Sequence, residues 1–365
     1  MVQLRNSDIQ MDKHLSEKLR IISFIAMILV VFLHSYNLTE KYNPDSLNLI
    51  DGYNAFIQFF LSQGIARVAV PIFFIISGYL FFINLNFKFQ EFIIKYKKRG
   101  RSLLLPYLFW SIWWYLFFFI LKLLHRPQKY LTNDIFEHFS VYQILNAIFI
   151  HNIIPYQLWF LRDLIIMVLF TPLIYLIIKN LRIFPLLLLL LIWIGVFDFN
   201  FIIFTNESIL FFSIGAYLAL IKKDFLVTIR NQKRYWIFTF IWIILVLLKS
   251  SIDFENTFFL KVIIHNIGIL TGVIAVWSLY DILHNKKTNK FIYSLSFFSF
   301  FIYAFHEPVL RIIKRGIFFI IKPSESISIL VYFFAPIMTI LLAILIGTFI
   351  KRKFPRFYGL ITGGR

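Results

Sequence analysis

No cysteine occurs anywhere in the 365 residues, so disulfides, thiolate metal sites and cysteine nucleophiles are excluded. Charge is scarce as well, at 15% of residues against the roughly 25% usual in soluble domains. Acidic residues are scarcer still: 18 Asp and Glu stand against 37 Lys and Arg, for a formal net charge of +19. The chain contains no GxxxxGK[ST], GxGxxG or GxSxG, which removes the common phosphate cradles and the nucleophile elbow. HxxxH and HExxH spacings are missing too, so no metal centre is expected. The first apolar run carries no small-residue cleavage site and is long enough to remain as a span, so no cleavable signal is expected.

What is abundant is apolar surface. Hydrophobic residues make up 60% of the chain and aromatics 20%, with 47 Phe and 18 Tyr, and the mean hydropathy is +0.78. This composition defines an integral membrane protein, with aromatics suited to lipid-facing surfaces and interfacial belts. The basic excess does not imply nucleic acid, because it falls in short segments between apolar runs, where orientation and anionic lipid account for it.

The apolar runs predict an all-α, polytopic protein of about ten transmembrane helices forming one domain over 1–365. The spans fall near 20–38, 66–84, 103–123, 157–178, 183–198, 205–221, 235–249, 260–281, 291–310 and 328–350. Short tails, 1–18 and 351–365, flank them. The clusters Lys97 to Arg101, Lys222 to Arg234, Lys286 to Lys290 and Lys351 to Arg356 all fall on one side, which the positive-inside rule makes cytoplasmic together with both termini. Arg311, Lys314 and Arg315 break the rule by landing outside. They belong to a re-entrant or interfacial helix, or are held there for function. Residues 125–156, with His125, His138 and His151, form the largest outer loop.

Five stretches carry candidate chemistry. In LRIISFIAMILVVFLHSYNL (19–38) an ionisable His34 sits toward the far end of a span, where it costs free energy unless a cavity or partner satisfies it. Arg20 lies about 21 Å earlier along the axis and within about 40° of the same face. It either serves that face or anchors the helix at the headgroups. The run Lys95, Lys97, Lys98, Arg99 and Arg101 can hold lipid headgroups or the phosphates of a cytosolic cofactor. In RVAVPIFFIISGYL (67–80), Arg67 is costly in an apolar stretch, and Ser77-Gly78, followed by Tyr79, offers a small-residue surface. In LWFLRDL (158–164), Trp159 precedes Arg162 and Asp163, which point to different sides of a helix and are not expected to pair with each other. In IYAFHEPVL (302–310), Tyr303, His306 and Glu307 precede Pro308, and the carboxylate can orient or charge an imidazole from another helix. His265 has no accompanying motif and reads as a packing residue.

In order, FIAMILVVFLHS, RVAVPIFFIISGYL, KKRGRSLLLPYLFW, LWFLRDLIIMVLFTPLI, FFSIGAYLA and SFFSFFIYAFHEPVL resemble the acyltransferase 3 family over most of the chain. The likeness is closest to its polysaccharide and fucose O-acetylase-like branch. The resemblance implies a multi-pass enzyme of the inner (cytoplasmic) membrane that transfers an acyl group, usually acetyl, from cytosolic acyl-CoA to a carbohydrate hydroxyl. It makes His34 catalytic and links acyl-CoA binding to Lys98 and Arg101, with Arg99 between them. Arg20 and Lys97 are expected to join them, and Glu307 (or Asp163) to act with His34 in catalysis by stabilising the imidazolium. Arg67, Ser77, Tyr79, Trp159, Arg162, Asp163, Tyr303 and His306 fall in substrate or supporting roles. The family's arginine ten residues clear of the histidine is Ser23 here, and Arg20 stands one turn earlier. Expected partners are acetyl-CoA as co-substrate, a carbohydrate acceptor and the lipid bilayer, with no metal, and a second copy or a glycan-assembly complex beside them. From another class, ten spans with buried charges also suit a polysaccharide or lipid-linked-sugar transporter.

Overall fold

In a bilayer core the backbone must satisfy its own hydrogen bonds, which for a chain this apolar selects helices. The computed structural model describes residues 13–38, 52–85, 88–123, 156–195, 197, 201, 203–221, 236–251, 258–283 and 286–364. Among them there is no strand. The loop histidines His125, His138 and His151 and the basic segment Lys222 to Arg234 lie outside the described residues.

Among the described residues, six helices are long and apolar enough to cross a membrane. The first is α1 (Lys13–Ser35). A second continuous path combines α2 (Gly52–Gln58), a π-helical turn (Phe59–Gly64), a 3₁₀ turn (Ile65–Val68) and α3 (Ala69–Phe82). Next come the amphipathic α4 (Phe89–Arg99) and α5 (Leu105–Leu123). After α6 (Trp159–Leu169) and α7 (Thr171–Leu181), three shorter apolar helices follow: α8 (Phe184–Ile194), α9 (Asn206–Leu220) and α10 (Trp236–Ser251). The chain closes with α11 (Phe258–Ile282), α12 (Lys286–Leu295), α13 (Ser299–Ile320), α14 (Glu325–Lys353) and α15 (Pro355–Thr362).

Two local features refine the expected spans. The span near 157–178 is not straight: α6 and α7 meet at 63° and count as a seventh crossing only if taken as one broken span. Pro172 explains the break, since it has no N–H for the Val168 carbonyl and its ring clashes there. The Thr171 hydroxyl takes that carbonyl instead, at 2.7 Å. The cations Arg311, Lys314 and Arg315 do not sit in a connecting segment either. They ride on α13, which runs through Pro308 to Ile320, and Lys314 is 2% exposed.

With lipid on one side and protein on the other, close approach of backbones supplies packing. The tightest seam lies between α3 and α9. A Cβ on Gly78 would meet the Phe212 carbonyl oxygen at 2.2 Å, and one on Gly215 would meet the Ile75 carbonyl oxygen at 2.1 Å. At the other end of α3, Lys95 folds back from α4 to donate to the carbonyls of Phe81 and Ile83, neutralising the helix C-terminus. Gly78→Val or Gly215→Val therefore costs about 1–3 kcal/mol or more, read as a lower melting temperature of the solubilised protein. Gly316→Ala, whose added methyl meets nothing within 4 Å, leaves it nearly unchanged.

Candidate functional site

The end of α1 alternates its side chains between two environments. Ser35 and Asn37 are buried toward α2 and α14, while His34 and Tyr36 face a cavity. Ser35 donates to the Tyr332 carbonyl at 2.7 Å. Asn37 donates to the Ser328 carbonyl at 3.1 Å and accepts from Gln58 at 3.0 Å and from the Ser328 hydroxyl at 2.7 Å. From α13, the Lys314 ammonium reaches the carbonyl oxygens of His34, at 3.0 Å, and Tyr36, at 3.2 Å. These carbonyls close a helix and have no intrahelical donors, so a cation there satisfies both hydrogen bonding and dipole.

The cavity, about 950 Å³, extends along α1 from Ser16 and Arg20 to His34 and Tyr36. Arg20 lies over the rings of Phe297 (4.4 Å) and Tyr293 (5.0 Å), a placement that suits its delocalised cation. Ser23, where the family pattern has arginine, lines the same cavity. Arg99 joins them at this end. Lys97, Lys98 and Arg101 are exposed and are not among its lining residues, so only Arg99 of that basic run reaches it.

At the far end, the His34 ring stacks on His306 (5.4 Å between centroids, 30°) and meets Tyr156 edge-on (5.1 Å, 82°). The Tyr156 hydroxyl is hydrogen-bonded to His34 Nδ1. His306 points Nδ1 at the Tyr303 carbonyl oxygen, at 2.7 Å, which can only accept, so its proton sits on Nδ1. Its buried Nε2 has no partner among the described residues. The imidazole against His34 is thus His306, while Glu307 on the same helix pairs with Arg311 at 3.6 Å. Ser77, Trp159, Tyr303 and Glu307 line the cavity; Tyr79 is packed inside the helices instead.

Two expectations about partners fail. Arg162 and Asp163 do form an ion pair, at 2.8 Å. Their Cβ atoms diverge, but the arginine side chain is long enough to curl back to a carboxylate that is itself fixed. Asp163, fully buried, also accepts from the Thr205 backbone N–H (2.9 Å) and hydroxyl (3.2 Å), which anchors the start of α9. Neither Arg162 nor Asp163 lines the cavity. His265 is not simply packing: it lines the cavity, and its Nδ1 contacts the Lys249 ammonium at 2.9 Å. Glu207, Arg311 and Lys314 were also legible as charges within apolar runs, but nothing in the sequence joined them to His34.

Among the described residues no group of three His, Asp or Glu is assembled to hold a metal. The fold and the cavity define a polytopic helical membrane protein with a long internal cavity that carries cations at one end and, at the other, His34 backed by His306. The acyltransferase domain of the acyltransferase 3 family matches residues 18–348. The chain belongs to that family and is a multi-pass membrane acyltransferase. It is similar to the succinoglycan biosynthesis protein ExoH of Rhizobium meliloti (strain 1021), with 26% identity over 372 residues covering 97% of this chain and 94% of that protein. No solved structure matches it.

Because Asp163 holds both Arg162 and the α9 start, Asp163→Ala leaves a half-buried cation short of its counter-charge and the Thr205 donors short of their acceptor. The expected loss is about 3–5 kcal/mol, measured as thermal stability in detergent or as folded yield from membranes.

Proposed function

We propose that this chain, in the cytoplasmic membrane, transfers an acetyl group from cytosolic acyl-CoA to a hydroxyl of a cell-surface or lipid-linked carbohydrate. The observation that carries this reading is that one continuous cavity has Arg20 and Arg99 at its basic end and His34 at the other. A carbohydrate acceptor fits the similarity to a succinoglycan biosynthesis protein.

CoA phosphates dock against Arg20 and Arg99, with Lys97, Lys98 and Arg101 supplying the attractive field outside the mouth. The pantetheine arm follows α1 inward, between α1 and α3. His34 donates from Nδ1 to the Tyr156 oxygen, which leaves Nε2 as general base. Nε2 takes the proton of a sugar hydroxyl while its oxygen adds to the thioester carbonyl. The tetrahedral intermediate then expels the CoA sulfur, which receives that proton, giving a sugar ester and free CoA. General-base catalysis contributes about 10²–10⁴-fold, so alignment within the cavity supplies much of the remainder. Arg67 stabilises the developing oxyanion or orients the sugar.

In vesicles or nanodiscs with radiolabelled acetyl-CoA, His34→Ala abolishes transfer while the protein level holds; unchanged product acetylation overturns the assignment. Arg99→Glu raises the KM for acetyl-CoA about tenfold or more, the loss of at least one charge-assisted phosphate contact, whereas Lys97→Glu has a smaller effect that added salt erases. Translocation of glycan without any label transfer favours the transporter reading.

A further inference from the structure

Apart from Arg67, the polar groups on the wall of the cavity formed by the π-helical turn, α9 and α11 take no part in the chemistry at His34, yet they are held in place. The π turn and the 3₁₀ turn after it interrupt the second span at Phe59–Val68, the kind of interruption often found at functional sites. The distortion frees the Gln63 carbonyl, which accepts from Lys249 at 2.7 Å. It also brings the Gln63 side chain and Arg67 together on the cavity, the guanidinium donating from Nε to Gln63 Oε1 at 2.9 Å. Lys249 is 8% exposed, and its second contact is His265 Nδ1. An ammonium only donates, so Nδ1 must accept, the ring proton lies on Nε2, and the ring offers an N–H donor.

Facing these donors is Glu207, on the first turn of α9. It lines the cavity and is attracted by Arg67, but no side chain among the described residues makes a hydrogen bond or ion pair to it. A carboxylate left without partners in an enclosed place is costly unless a ligand or water completes it. Three kinds of donor, the Gln63 amide, the Arg67 guanidinium and the His265 N–H, together with one unspent carboxylate, match a ring bearing neighbouring hydroxyls. Each hydroxyl can both donate and accept. The surface is poorly matched to a pure anion, which Glu207 would repel, and to an acyl chain, which would leave the donors unpaired. Arg67, Glu207 and His34 line the same cavity, so a ring seated here shares the chamber with the imidazole.

We propose that Gln63, Arg67, Glu207 and His265 form a subsite that holds the acceptor sugar through neighbouring hydroxyls, with Lys249 as the positioning residue that fixes Gln63 and the His265 tautomer. This rests on the acyl-transfer reading above for the identity of the acceptor.

The test uses the full-length protein in nanodiscs and, as probe, the unacylated repeat oligosaccharide released from the surface polysaccharide of cells lacking this chain. Glu207→Gln and Gln63→Ala each raise the acceptor KM about tenfold or more, as expected for losing a hydrogen bond to a charged or tightly held group, while the KM for acetyl-CoA stays put. Lys249→Met reproduces the acceptor-specific rise. An unchanged acceptor KM in the folded Gln63→Ala protein overturns the subsite, as does a donor KM that rises in step. Oligosaccharide binding without donor, followed by tryptophan fluorescence through Trp159, separates the two readings. Weakened binding in Glu207→Gln supports the subsite even if acetyl-CoA proves the wrong donor. Equal binding by wild type and variant overturns it.

Discussion

A single ammonium closes the first helix. Lys314 holds the carbonyls of His34 and Tyr36 from a neighbouring span, at 2% exposure. Removing it would leave two helix-end acceptors orphaned in a low-dielectric interior, a cost of several kcal/mol in total. The helix can therefore stop at Ser35 while still inside protein, and the histidine can face a cavity instead of lipid. The Asn37, Gln58 and Ser328 network performs the same service on the opposite side. The imidazole stands where two sets of hydrogen bonds leave it no freedom to turn away.

Most of the charged groups in the interior are already committed to protein partners. Lys18 is bound to Asp281 at 2.6 Å with Trp277 beneath it, Arg162 to Asp163, and Arg311 to Glu307. Such pairs are weak evidence of stability, because desolvation cancels much of the attraction, but each is strongly destabilising to break. They set apart the few groups that remain available to a visitor: Arg20 and Arg99 at one end, and Glu207 with the free face of His265 at the other.

The order and type of the elements were legible in the sequence, because an 18-residue apolar run in this composition has few alternatives to a helix. Each expected span has its helix or helix pair, and His34, Arg20, Arg67, Trp159 and Glu307 all reach one cavity. What hydropathy could not supply was where long side chains end. Helical geometry fixes the direction of Cβ, not the reach of an arginine, so the Arg162–Asp163 pair was missed. Pro172 carried a local signal for the bend in 157–178 that the hydropathy of the run masked. His265 gained its role only through Lys249, 16 positions earlier on a separate helix, a relation invisible to any local pattern. The same limit hid the fact that only Arg99, of five clustered cations, lines the cavity.

The glycine seam between α3 and α9 has a mechanical corollary. With backbones in contact at Gly78 and Gly215, neither helix can roll or slide without colliding with the other's peptide groups, so the two travel as one rib. Arg67 and Ser77 ride at one edge of that rib and Glu207 at the other. Any breathing of the chamber that admits or releases bulky cargo must then come from helices outside the seam, leaving the spacing between those side chains constant through the cycle.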